Sequence, residues 1–282
     1  MKVLLVLFTY HLSLINSMAQ KCHYTREDST LVVHLLAEGP KDALWYARQL
    51  MDRPYVAHTL EVLPDEQLIV NLRELDCTTL VENVTALVLC SQQGQTTFGH
   101  FTAMLRQLRY RGGVMDGYTS RLHYFSDWIE DNSAMGLVNE RQSDKVPFTA
   151  VQTLRLNFMS THPQAYKALR EHPEYIPVIA QQEATLTGRT YRYIPKSQVK
   201  NTTQLRQAIH DGDIIAITTS KAGLDIAHLG FAVWRKDGLH LLNASQIHKR
   251  VIEEPMTLGQ YLAKHPSHTG IRVIQMRNYI EE

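Results

Sequence analysis

The chain of 282 residues carries 29 Lys+Arg against 28 Asp+Glu, 44% hydrophobic residues and three cysteines. That length is one large domain or two small ones, ample for a buried core. A net charge of +1 with no basic block leaves no footprint for nucleic acid, the aliphatic content argues against disorder, and three unclustered cysteines suggest neither a disulfide scaffold nor a metal-ligand set.

Residues 1–19 read as a secretory signal. Lys2 supplies the positive start, Val3 to Phe8 open an apolar stretch, and Ser17 and Ala19 put small residues before Gln20. His11 and Asn16 interrupt that stretch, which is too short for a membrane span, and Lys21 in front of Cys22 disfavours a lipid anchor. The expected mature chain is residues 20–282, a single domain that is exported, to the periplasm, and has no membrane span. Loss of Lys2 leaves 28 basic against 28 acidic residues.

Further along, residues 29–51 suggest two short helices broken at Gly39-Pro40, and Leu60 to Leu75 alternates like strand with a turn at Pro64-Asp65. From Cys77 the pattern becomes helical: Leu80, Val81, Val84, Leu87 and Val88 recur at helix spacing, Asp76 precedes them as an N-cap, and Gly94 ends the run. Residues 97–110, 126–138 and 161–185 are predicted helices. The last third turns to strand at Asp213–Thr219, Leu229–Trp234, Leu239–Ala244 and Gly270–Met276. A helical first half followed by an antiparallel sheet is α+β, not a doubly wound parallel fold.

Cys77 sits in the first turn of its helix, where unpaired N–H groups and the helix dipole favour a thiolate and can take the oxyanion of a tetrahedral intermediate. The same position suits a structural cysteine filling a core gap. In an oxidising compartment an odd cysteine stays free or pairs between chains. Cys77 and Cys90 lie on one helix, roughly 20 Å apart along its axis, so an internal bridge would use Cys22.

A cysteine nucleophile needs a base, and the chain has 14 histidines. His228 opens a strand that turns at Lys236-Asp237-Gly238 and returns through Asn243 and Ser245. Side chains alternate along a strand, so an even loop puts His228 on one face with Gly230, Ala232 and Trp234, beside Asn243 or Ser245. Either could hold the imidazole in one tautomer. The small Gly230 and Ala232 are expected to leave room for the helix carrying Cys77.

Leu75-Asp76-Cys77-Thr78-Thr79-Leu80-Val81 resembles the nucleophile motif of NlpC/P60 cell-wall hydrolases. His228-Leu229-Gly230-Phe231-Ala232 is similar to their base motif, and Asn243-Ala244-Ser245 falls where the third polar residue stands. Asn71 to Thr79, and Gly117 to Tyr124 followed by Asp127-Trp128, resemble the DUF1460 branch over most of the mature chain. The resemblance implies a papain-like α+β core with extra helices. It also implies a Cys77–His228–Asn243 thiolate–imidazolium amidase cutting the bond between the lactyl group of N-acetylmuramic acid and L-alanine in small peptidoglycan fragments.

No cofactor or metal is implied; the partner is a small muropeptide, and the protein is expected to be a monomer. Residues 109–128 would shape the sugar or lactyl pocket, with Tyr118, Ser120, Arg121 and Tyr124 favoured over Arg109, Tyr110, Arg111, His123 and Trp128. Asp76 and Asp225 are further substrate-contact candidates. The alternatives are a γ-D-glutamyl-diamino acid endopeptidase and a non-catalytic cell-wall binding module.

Overall fold

The computed structural model describes residues 22–280, so the expected signal over residues 1–19 lies outside the described residues. The chain begins with β1 (Cys22–His23), α1 (Arg26–Ala37) and α2 (Ala43–Arg48), the helices separated around Gly39 as expected. Thr25 and Asp28 form a capping box that starts α1.

The segment Leu60 to Leu75, expected to be strand, forms only β2 (Leu68–Ile69), which pairs in parallel with β1. Its apolar side chains Leu68, Val70, Leu72 and Leu75 are buried, and beyond β2 part of its backbone finds side-chain partners instead of a ladder. The Leu72 N–H donates to the buried Asp28 carboxylate at 3.0 Å.

Next come α3 (Cys77–Gln92), α4 (Phe98–Arg109), α5 (Phe125–Ala134), β3 (Val138–Glu140) and β4 (Ala150–Thr153). Gly136, at φ 70°, stops α5 and leaves the end of the expected 126–138 helix to β3. The expected helix over 161–185 is three pieces: α6 (Phe158–Thr161), α7 (Lys167–Glu171) and α8 (Tyr175–Leu186). Pro163 and Pro173, which cannot donate to a helical ladder, fall at the two breaks.

Then follow β5 (Thr190–Pro195), α9 (Thr203–Ala208), β6 (Ile214–Thr219), β7 (Ile226–Trp234), β8 (Leu239–Ser245), β9 (Arg250–Glu253), α10 (Leu258–Ala263) and β10 (His268–Met276). The large sheet runs β4-β5-β10-β6-β7-β8-β9, with β3 also on β10, and every pairing in it is antiparallel. The expected α+β class with an antiparallel sheet is what the chain forms, and β6, β7, β8 and β10 are its predicted strands. Among the described residues no helix is long and apolar enough to cross a membrane.

Each sheet face has its own core. Leu229, Phe231, Val233, Leu242 and Ala244 pack against helices α1 to α5. Ile215, Ile217, Ala232, Leu239 and Leu241 pack with α9 and α10 on the other face. Helix α3 is buried without a break from Thr79 to Ser91, all around rather than on one stripe. A third cluster joins Tyr118 and Tyr124 to α6, α7 and α8.

This layering corrects one expectation. Gly230 and Ala232 face away from α3: a Cβ on Gly230 would lie 2.8 Å from the Leu241 side chain, and Ala232 belongs to the α10 core. The helix carrying Cys77 rests instead on the odd-numbered residues of β7.

Candidate active site

Asp76 caps α3 in a reciprocal box. The Thr79 N–H donates to Asp76 Oδ1 at 2.8 Å, and the Asp76 N–H donates to Thr79 Oγ1 at 2.9 Å. This fixes Cys77 in the first turn, where backbone N–H groups lack intrahelical acceptors. Cys77 opens onto a cavity of about 210 Å³ whose lining includes Thr78, His123, Tyr124, Met159, Tyr166, Asp225 and His228.

His228 stands where β7 becomes irregular. Ile217 pairs with His228 but Thr218 pairs with Ile226, so Ala227 is an extra residue beside the imidazole. Such bulges re-aim a neighbouring side chain. On the other side Phe231 pairs with Leu242 and Trp234 with Leu239, a four-residue loop of even length. Extending that register sets His228 opposite Ser245 with Asn243 on the diagonal. His228 Nε2 lies 2.9 Å from Asn243 Oδ1, while Ser245 Oγ accepts the His248 N–H. Of the two expected partners the structure selects Asn243, which is fully buried.

The amide orientation is fixed from behind. Asn243 Nδ2 donates to Glu254 Oε1 at 3.1 Å, so its oxygen faces the imidazole. That oxygen requires Nε2 to carry the proton, which leaves Nδ1 unprotonated and basic.

Burial dominates the electrostatics of the pair. Burial, and then the neighbouring Asp76 charge, push the Cys77 thiol up to about 12, although the Leu229 N–H, the Thr78 hydroxyl and its own N–H act the other way. Burial lowers His228, partly offset by Asn243 and Glu254. Both shifts favour the uncharged forms, against the helix dipole that favours a thiolate. All three cysteines are free, and Cys22 forms no bridge.

The other expected contacts divide. Tyr124 lines the cavity with its ring, but its hydroxyl donates to the buried Glu183 carboxylate at 2.6 Å. Asp225 also lines it, yet its carboxylate accepts the Ser126 N–H at 2.7 Å near the start of α5. Ser120 Oγ is used inside its own turn, donating to Gly117 O and accepting from the Asp116 N–H. Arg121 is buried 4.9 Å from the Tyr118 ring centre, 3.6 Å from both Glu61 and Glu66. Tyr118 belongs to a second cavity of about 230 Å³ with Glu61, Lys167 and Tyr175. Its ring lies 4.4 Å from that of His123, so the two cavities share a wall.

Among the remaining residues of 109–128, Arg109 pairs with Glu82 at 2.7 Å and both are buried. Removing one partner of such a pair costs about 3–5 kcal/mol, so Arg109 is structural. Tyr110 and Trp128 are fully buried, and Arg111 holds Asp127. His123, which lines the cavity, is lowered to about 3 by burial and by Arg121.

Sequence reasoning did not single out Tyr55 and Tyr261, whose phenols are pushed up to about 12 by burial and also feel Cys77, nor Tyr166, Met159 and Glu254. They come from other segments of the chain, which only the fold brings to Cys77 or, for Glu254, to Asn243. Among the described residues no group of three His, Cys, Asp or Glu side chains is placed to hold a metal ion.

Comparison with known proteins follows the same lines. The AmiA-like family, described as N-acetylmuramoyl-L-alanine amidase-like, matches residues 46–271. The chain is similar to the crystal structure of an N-acetylmuramoyl-L-alanine amidase from Bacteroides uniformis: identity is 40%, TM-score 0.78, with 84% of this chain and 99% of that chain covered. A candidate xylanase from Bacteroides fragilis shares 43% identity at TM-score 0.77, covering 83% of this chain and 100% of that chain. A Legionella pneumophila protein of the DUF1460 family shares the fold at 22% identity and TM-score 0.68, covering 89% of this chain and 93% of its own. No curated protein sequence matches.

Proposed function

The chain belongs to the AmiA-like, N-acetylmuramoyl-L-alanine amidase-like family, and from that premise we propose that it is a cysteine amidase acting on small peptidoglycan fragments. The bond cut joins N-acetylmuramic acid, in its reducing or anhydro form, to L-alanine. The observation that carries this reading is the shared lining of one cavity by Cys77 and His228, with His228 held by Asn243 at 2.9 Å. The proposal includes a papain-like core of the NlpC/P60 type, one domain over residues 20–282, export to the periplasm and a monomeric state.

His228 acts as a general base toward Cys77, in keeping with shifts that favour the uncharged forms of both groups. Its Nδ1 takes the Cys77 proton as sulfur attacks the amide carbonyl. First-turn N–H groups of α3 take the developing oxyanion. The imidazolium then protonates the leaving amine of L-alanine, the C–N bond breaks, and a muramoyl thioester remains on Cys77. Water, deprotonated by Nδ1, attacks that thioester; the sulfur leaves and recovers its proton from His228. Asn243 keeps Nε2 protonated through both halves.

A glycosidase reading, raised by the Bacteroides fragilis relative, needs two carboxyl groups across one cleft. Asp225 is the one carboxylate in the lining of the Cys77 cavity, and it is engaged by Ser126. The γ-D-glutamyl endopeptidase remains the chemical neighbour, since the same nucleophile would serve it. Mass spectrometry of products from defined muropeptides separates the two. Free L-alanine from muramoyl-L-alanine is the expected result. Release of diamino-acid fragments without L-alanine would exclude the amidase assignment, and binding without turnover would favour the cell-wall binding module.

A further inference from the structure

An asparagine beside a catalytic histidine poses a problem that an aspartate does not. Its two ends have nearly the same shape, one accepting hydrogen bonds and one donating. With its oxygen toward His228, Nε2 is the protonated nitrogen and Nδ1 is a base. With its NH₂ group there, Nε2 must accept, the proton moves to Nδ1, and the base is lost. Something has to choose between the two.

The choice is made by Glu254. Its Oε1 accepts from Asn243 Nδ2 at 3.1 Å, whereas the Leu241 and Ile252 carbonyls are both 3.5 Å from that nitrogen. Glu254 is 1% exposed, just beyond β9. Its backbone is held on both sides: the N–H donates to Leu241 O at 2.8 Å, and the carbonyl meets His240 Nδ1 at 2.9 Å. Its second oxygen is 3.2 Å from His248 Nε2, a ring at the partly exposed rim. The carboxylate is thus fixed in place, and it has no donor to offer a reversed amide.

We propose that Glu254 is a positioning residue that locks the Asn243 amide, and through it sets His228 in the Nε2–H tautomer with Nδ1 free to act as base. The assignment rests on the reading of Cys77, His228 and Asn243 as the catalytic set. It makes Glu254 the outermost member of a line running Cys77, His228, Asn243, Glu254.

The test is a reciprocal exchange. In Glu254→Gln the new amide can present either end to Asn243, so the orientation preference disappears. In Asn243→Asp two buried carboxylates face each other. In the double variant Asn243→Asp/Glu254→Gln the pattern is rebuilt with roles reversed, Gln donating to Asp and Asp accepting from His228. Nitrogen-15 NMR of histidine-labelled protein, with His228 assigned by its loss in His228→Gln, reads the tautomer directly.

The expected result is Nε2–H in the wild type and a population shifted toward Nδ1–H in Glu254→Gln. Hydrolysis of muramoyl-L-alanine should fall in Glu254→Gln, toward the roughly 10⁴-fold cost of a wrong tautomer as the Nδ1–H population grows, and in Asn243→Asp through the repulsion of two facing buried carboxylates. The exchanged pair should return to within about tenfold of wild type. An Nδ1–H wild type, an unchanged tautomer in Glu254→Gln, or an exchanged pair no better than the singles would overturn the assignment. The NMR result stands without any substrate, so failure of the amidase reading would show separately as absent hydrolysis with the tautomer pattern intact.

Discussion

At the scale of single residues, Asp76 has two separable roles. Its carboxylate caps α3, and its charge helps push the Cys77 thiol up. Asparagine caps nearly as well, whereas alanine costs about 1 kcal/mol. Asp76→Asn should therefore keep the melting temperature while lowering the Cys77 pKa, read as faster iodoacetamide alkylation at fixed pH. An unchanged alkylation rate would mean that Asp76 does not act on the sulfur. Cys77, His228 and Asn243 were legible in the sequence because each depends on a local rule: an N-cap before a helix, and strand parity across an even loop. The upward shift of the thiol was not, since it comes from desolvation by chain distant in sequence. Ser120 and Asp225 look like free polar groups in the sequence, yet their hydrogen bonds are used inside the fold.

At the scale of elements, the walls of the catalytic cavity hang on a few tight approaches. Gly223 adopts φ +77°, and a Cβ there would lie 2.5 Å from Asn157 Oδ1 and 3.0 Å from the Phe158 N. This contact seats the start of α6, whose Met159 lines the cavity. Gly223→Ala combines a left-handed backbone with a clash, an expected loss of about 1–3 kcal/mol. Thermal denaturation should show a clear drop in melting temperature, and an unchanged value would show that the turn yields freely. The short strands β1, β3, β4, β5 and β9 and the short helices α6, α7, α9 and α10 were among those the sequence concealed or blurred. They are too brief for a periodic signal, and they exist because the rest of the fold offers partners.

At the scale of the whole molecule, buried histidines link folding to pH. His123 is lowered to about 3 and His268 to about 4, in both cases mainly by burial, from an ordinary 6.5. Both are neutral in the fold but take up protons in the unfolded chain once pH falls below 6.5. The unfolded state then binds more protons, so their contribution is complete above that value and is lost as pH falls toward about 4. Between pH 7 and 5 the melting temperature of His268→Gln should fall less than that of the wild type; equal slopes would contradict the assignment.

The antiparallel sheet was legible from the C-terminal strands. Which helices cover which face was not, because β7 carries small residues on the side away from α3. The measurement that bears most directly on the central claim is intact-protein mass spectrometry of enzyme quenched in acid during turnover of muramoyl-L-alanine. Cys77 as nucleophile at the lactyl–L-alanine bond predicts a transient thioester with the mass of the muramoyl acyl group, absent from Cys77→Ala. A peptidyl adduct in its place, or turnover by Cys77→Ala at the wild-type rate, would contradict it.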